Sequence, residues 1–111
     1  DEAKRLSRPW DLGKAADLSA PVGPLHRAEA IGHPSRGAIT LRVDGTLRQA
    51  GDLSDMIWSV PEQIALLSTY FELHPGDVIF TGTPSGVGPV LRGETMVAEV
   101  EGLGAIALAV V

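Results

Sequence analysis

Ala38-Ile39-Thr40-Leu41-Arg42-Val43-Asp44-Gly45-Thr46-Leu47-Arg48-Gln49 decides the class of this fold. Apolar and polar residues alternate on both sides of Asp44-Gly45, which is the period of a half-buried strand. Both central positions of a type I′ turn need positive φ, which glycine adopts freely and aspartate tolerates, so Asp-Gly between two such runs predicts a two-residue hairpin. Two closing strands are expected further on, at about 95–101 and 104–111, turning at Gly102. A short buried strand is expected over Asp77-Val78-Ile79-Phe80-Thr81-Gly82. With 13 Gly and 8 Pro and few long periodic stretches, the chain should consist of short strands joined by tight turns. The expected class is α+β, mostly β.

One helix is predicted to start near Ser59. Ser59-Val60-Pro61-Glu62 supplies an N-cap hydroxyl, a proline in the first turn and an acid three positions after the cap. Val60, Ile64, Leu67 and Phe71 then fall on one face, which reads as core, and the helix should end before Pro75-Gly76. The stretch from Pro9 through Lys14 to Pro24 reads as an irregular loop, because X-Pro steps push the chain extended.

The 111 residues allow one domain or part of a larger one, and the opening Asp1-Glu2-Ala3-Lys4-Arg5-Leu6, with no initiator Met, reads as the interior of a longer sequence. Residues 1–111 are therefore expected to form a single, partial domain. No apolar run approaches the roughly 18 residues of a membrane span and no basic-then-apolar stretch of the signal-peptide kind stands at Asp1, so a soluble, cytoplasmic protein with no membrane partner is expected. Fourteen acidic against nine basic residues, a net charge of -5, argue against nucleic acid as a partner, since phosphate binding needs clustered Lys and Arg. The absence of Cys excludes disulfides, thiolate zinc sites and cysteine nucleophiles.

The loop Thr81-Gly82-Thr83-Pro84-Ser85-Gly86-Val87-Gly88 offers hydroxyls and glycines that let backbone N–H groups approach a ligand. It lacks both the Lys-Ser/Thr ending of a Walker loop and the spacing of a dinucleotide fingerprint, and it reads equally as a ligand loop or a tight turn. Lys14 could pair with a substrate carboxylate or stand solvated on the surface. His26, His33 and His74 are too far apart for helical metal spacing and read as surface or turn histidines. Glu99-Val100-Glu101 could clamp a hard cation from one strand face, or simply face solvent. Asp52 and Asp55 could bind a ligand or cap a turn.

Three strings in order carry a resemblance: Arg48-Gln49-Ala50-Gly51-Asp52-Leu53-Ser54-Asp55-Met56-Ile57, then Leu73-His74-Pro75-Gly76-Asp77-Val78-Ile79-Phe80, then Thr81 to Pro89, continuing to Val97-Ala98-Glu99-Val100-Glu101-Gly102-Leu103-Gly104. Together they resemble the C-terminal half of the fumarylacetoacetate hydrolase family, over nearly the whole chain. Arg8-Pro9-Trp10-Asp11 with Lys14, Ser19 to Pro24 and Asp52 to Trp58 look most like the family's fumarylpyruvate hydrolases.

The resemblance implies the C-terminal part of a mixed β-roll and a metal-dependent hydrolase that cleaves a C–C bond in an acylpyruvate, giving pyruvate and a second acid in aromatic catabolism. It implies Mg²⁺ or Mn²⁺ to chelate a dioxo-acid substrate, and a homodimer. Lys14 matches the family's active-site lysine, expected to be catalytic and to contact the substrate. Thr83 matches the threonine facing the substrate, and Gly82 the loop glycine that lets the backbone come close. The family's metal ligands, a Glu-x-Glu pair and an Asp, and its water-activating His-Glu pair match positions upstream of Asp1, so no metal ligand is expected in this chain. Glu99 and Glu101 match closing-strand acids instead. A phenylalanine usual after the lysine is replaced by Ala15-Ala16. The isolated segment is expected to be inactive, the other half of the site coming from upstream residues or a separate polypeptide. The resemblance leaves open oxaloacetate decarboxylation, dioxo-acid isomerisation, and a non-catalytic assembly module.

Overall fold

In the computed structural model, Arg5 and residues 17–111 are described. The hairpin forms at the Asp-Gly step. Strand β1 (Ala38–Val43) and strand β2 (Thr46–Asp52) pair antiparallel around Asp44 and Gly45, whose φ values are 46° and 78°. Asp44 also reaches across to Thr95, whose N–H donates to the Asp44 Oδ1 at 2.9 Å, and the Asp44 N–H donates to the Thr95 carbonyl at 2.9 Å. The turn is thereby tied to the start of β3 (Thr95–Val100), which pairs with the far edge of β1 and then with β4 (Gly104–Ala109). The sheet order is β2-β1-β3-β4, antiparallel throughout.

Register places the apolar residues on one face. Ile39, Leu41 and Val43 lie opposite Val100, Ala98 and Met96, which lie opposite Gly104, Ile106 and Leu108. The chain covers this face only in part: Val43, 3% exposed, is the one fully buried hydrophobic residue among those described. Gly23 packs on Ile106, where a Cβ would stand 2.6 Å from Cγ2. Where Leu41 pairs with Gln49 and Arg42 with Leu47, the β1–β2 ladder slips by one residue. Arg48 is the extra residue of a β-bulge, and its backbone leaves the ladder.

Two carboxylates close the start of β1. Asp52 accepts the Gly37 N–H at 3.2 Å through both oxygens, and Glu101 Oε2 accepts the Ala38 N–H at 2.9 Å. Outside the sheet the chain forms a short helix α1 (Ala28–Ile31), a 3₁₀ turn (Leu53–Asp55) and helix α2 (Val60–Leu67). Glu62 Oε2 accepts from both the N–H and the hydroxyl of Ser59, at 2.8 and 2.7 Å, the reciprocal contact of a capping box.

Two expectations fail. Residues 77–82 form no strand, and Val78 and Phe80 are exposed, Phe80 by 65%. A strand needs a neighbour for its N–H and C=O ladder, and among the described residues nothing pairs with this one. The α2 face is also not covered as core by the described residues: Val60, Ile64 and Phe71 are exposed, Leu67 is half-buried, and the helix ends at Leu67 with only isolated turns following. Amphipathic spacing marks a face that can be buried, whereas its burial depends on an element packed across it, and among the described residues α2 has no extensive contact with any strand.

Candidate functional site

A cavity of about 640 Å³ opens between the 3₁₀ turn, α2 and the segment 79–84. Its walls are mainly apolar, with Met56, Trp58, Leu66 and Phe80 among them, and its rim carries Gly82 and Thr83. Apolar walls with a few placed polar groups are the usual character of a small-molecule site. Gln63 holds one wall by donating its Nε2 to the Trp58 carbonyl at 2.8 Å, with Met56 Sδ at 3.8 Å.

Gly82 has a φ of 100°, a conformation open to glycine and strained for other residues, and this bend turns the chain from Thr81 into the rim. Thr83 is exposed at the mouth. Its hydroxyl oxygen accepts from Gln49 Nε2 at 2.9 Å, and the same nitrogen donates to the Pro84 carbonyl at 2.7 Å. Gly51 leaves room for Pro84, since a Cβ there would lie 3.2 Å from the proline ring. Gly86, φ 101°, presses against the carbonyl of the bulged Arg48. The loop is thus fastened to β2 at three successive places.

The carboxylates on the cavity wall are occupied by local structure. Asp52 Oδ1 accepts from the hydroxyl and N–H of Ser54 at 2.6 and 2.8 Å, and Asp55 Oδ2 accepts the Asp52 N–H at 2.8 Å. The Ser54 hydroxyl, then the Ser54 and Gly37 N–H groups, hold the Asp52 carboxyl below its ordinary pKa, opposed by slight desolvation and helped by the charge of Arg36. Of the two readings of these aspartates, the structure supports the cap. Glu101 likewise serves the sheet edge. His26 and His33 are exposed, and His74 Nε2 lies 3.4 Å from Glu72 Oε1 in open solvent. Among the described residues no three His, Asp or Glu groups come together to hold a metal ion, so these residues do not by themselves fit a divalent cation.

Of the loop Thr81–Gly88, read from sequence as either ligand loop or turn, the first half, Thr81 to Pro84, lines the cavity and brings Gly82 and Thr83 to it, whereas Gly86 to Gly88 line a separate, smaller hollow. Lys14 lies outside the described residues. Sequence reasoning misses Gln49, Met56 and Gln63 as site residues. Gln49 reads there as one more polar position of an alternating strand, and no local signal distinguishes it.

All 111 residues match the family model described as fumarylacetoacetate (FAA) hydrolase C-terminal. The chain belongs to the fumarylacetoacetate hydrolase family. A crystal structure of fumarylpyruvate hydrolase from Pseudomonas aeruginosa in complex with Mn²⁺ and pyruvate superimposes with a TM-score of 0.94 at 52% identity, covering 99% of this chain and 47% of that one. The fumarylpyruvate hydrolase of a Ralstonia species is 41% identical over 97% of this chain and 56% of its own length. The mitochondrial oxaloacetate tautomerase of Homo sapiens is 42% identical over 93% of this chain and 47% of its own length. The chain spans about half the length of the relatives it matches. The mostly β fold is that of fumarylacetoacetate hydrolase-family structures, and a divalent metal accompanies pyruvate in the Pseudomonas relative. Hydrolases and a tautomerase both occur among these relatives, so membership of the family is compatible with either reaction. No helix among the described residues is long and apolar enough to cross a membrane.

Proposed function

We propose that these residues form the C-terminal part of a metal-dependent hydrolase that cleaves an acylpyruvate, a 2,4-dioxo acid of the fumarylpyruvate type, in the breakdown of aromatic compounds. Water adds its oxygen to the acyl carbon, the C–C bond to the pyruvyl methylene breaks, and that carbon takes up a proton to leave as pyruvate. The observation that carries this reading is the 52% identity, over 99% of the chain, to a fumarylpyruvate hydrolase holding Mn²⁺ and pyruvate. In this reading Thr83 hydrogen-bonds a substrate oxygen at the cavity rim, Gly82 keeps the backbone free to approach it, and Lys14 pairs with a substrate carboxylate as the catalytic cation. The Trp58 and Phe80 rings bound the apolar end of the substrate cavity.

The ion, Mg²⁺ or Mn²⁺, takes its ligands from outside the described residues in this reading, either from another part of a longer chain or from a partner polypeptide. The relatives, about twice this length, support such a contribution. A cytoplasmic homodimer completes the proposal.

A second reading, keto–enol tautomerisation of oxaloacetate, is favoured by the 42% identity to the human tautomerase. One experiment separates the two. The native full-length protein, supplied with Mn²⁺, is given fumarylpyruvate and, in a parallel assay, oxaloacetate. Stoichiometric release of pyruvate and fumarate supports the hydrolase. Accelerated enol–keto exchange of oxaloacetate with no cleavage of fumarylpyruvate overturns it in favour of the tautomerase.

A further inference from the structure

We infer that Gln49 is a positioning residue that makes Thr83 a hydrogen-bond donor to the ligand and so matches the cavity rim to an acceptor oxygen, a carboxylate or carbonyl. The inference rests on the placement of Thr83 in the substrate site under the reading above, and deepens it.

The Gln49 amide has an oxygen end and a nitrogen end with opposite hydrogen-bonding roles, and their surroundings assign them. The Pro84 carbonyl, 2.7 Å away, can only accept. The end of the amide facing it is therefore the NH₂. The second hydrogen of that nitrogen is directed to Thr83 Oγ1 at 2.9 Å, so the threonine oxygen is the acceptor in this pair. A hydroxyl has one proton. With Oγ1 receiving a hydrogen from Gln49, its own proton is turned away from the amide, and Thr83 makes no other side-chain hydrogen bond among the described residues. Thr83 is exposed and lines the cavity, so an incoming ligand can meet that proton.

The device is rigid because of where Gln49 sits. It is half-buried on β2, beside the Arg48 bulge, and the loop it holds is pressed onto the same strand through Gly51–Pro84 and Gly86–Arg48. A group carried on a strand and fastened on both sides keeps its direction better than one carried on a free loop. A carboxylate oxygen gains from such a donor, whereas an amide N–H or ammonium group at the same place would face a proton.

A double-mutant cycle tests this, with pyruvate as the probe and Mn²⁺ present, by calorimetric titration of the native full-length protein. Gln49→Glu keeps the size of the side chain but at neutral pH has only acceptors, so it draws the Thr83 proton toward itself. We expect Gln49→Glu and Thr83→Val each to weaken pyruvate binding by about tenfold, and the double variant to be no weaker than Thr83→Val alone. If Gln49→Glu weakens binding by the same factor in the Thr83→Val background, Gln49 acts on the fold and not through the hydroxyl, and the inference is overturned. If Thr83→Val weakens binding but Gln49→Glu does not, the inference falls while the site reading stands. If Thr83→Val binds pyruvate as tightly as the wild type, the site reading itself falls. Should Gln49→Glu lower the melting temperature by more than a few degrees, Gln49→Met, of similar length and without either donor, takes its place in the cycle.

Discussion

Gly86 lies so close to the Arg48 carbonyl oxygen that no Cβ fits between them, and the carbonyl is there because Arg48 is the extra residue of the β2 bulge. The irregularity in the hairpin and the glycine in the loop are one fitted contact. Gly86 also holds a φ of 101°, so a side chain there meets two penalties, a clash with backbone that cannot swing away and a strained dihedral. Gly86→Ala should lower stability by about 1–3 kcal/mol. It should also weaken pyruvate binding in the native protein, because lifting residue 86 off β2 moves Thr83. Thermal melting and calorimetric titration of the same variant check both effects; an unchanged melting temperature would mean that the contact relaxes without cost.

Val43 and Leu67 should differ in the opposite order to their sizes. Val43 is 3% exposed at the end of β1, beside Leu41 and Met96, whereas Leu67 is half-buried along the cavity wall. Val43→Ala should cost about 2 kcal/mol in denaturant unfolding and Leu67→Ala about 1 kcal/mol, since a cavity costs most where the surroundings already close on the side chain. The spacing of α2 alone makes Leu67 a core position. A larger loss at Leu67 than at Val43 would show that something else packs on α2 in the native protein.

The Ser59 cap is a local contact, between residues three positions apart. Glu62 Oε2 accepts from the Ser59 N–H and hydroxyl, and these two bonds, the hydroxyl first, hold the Glu62 carboxyl below its ordinary pKa. Ser59→Ala keeps the backbone bond and removes the hydroxyl, so it should cost about 1 kcal/mol. Denaturant melts at pH 7 measure this directly, and a difference under a few tenths would remove the hydroxyl from the account.

Acid should reveal Asp52. Its folded pKa is depressed, so the stability it adds is present above the unfolded value, near 3.9, and is lost as pH falls through the lower folded value. Asp52→Asn should therefore be less stable than the wild type at pH 7, and the gap should narrow below about pH 4. A gap of constant size from pH 7 to pH 3 would mean that the Gly37 and Ser54 bonds do not depend on the charge.

Sequence reading reaches the features whose causes lie within a few residues. The Asp44-Gly45 turn needs only two backbone conformations, and the Ser59–Glu62 cap only two side chains three positions apart; both stand in the structure as expected. The closing strands at Thr95–Val100 and Gly104–Ala109 are legible for the same reason, an alternating run ending at a glycine turn. The loop at Gly82 and Thr83 is visible by composition, although nothing in its own residues separates a ligand loop from a tight turn.

Tertiary structure decided the rest. Residues 77–82 have the composition of a strand and no ladder partner among the described residues, and pairing is a property of two segments, not one. Asp52, Asp55 and Glu101 look like possible ligands in a linear reading, but the fold commits them to the N–H groups of Gly37, Asp52 and Ala38. The contact between Gln49 and Thr83 spans 34 positions of chain and exists because the bulge, Gly51 and Gly86 let the loop lie on β2. Local sequence determines which backbone conformations and caps are cheap; which side chains meet across distant segments, and so which way the Thr83 proton points, depends on how those segments pack.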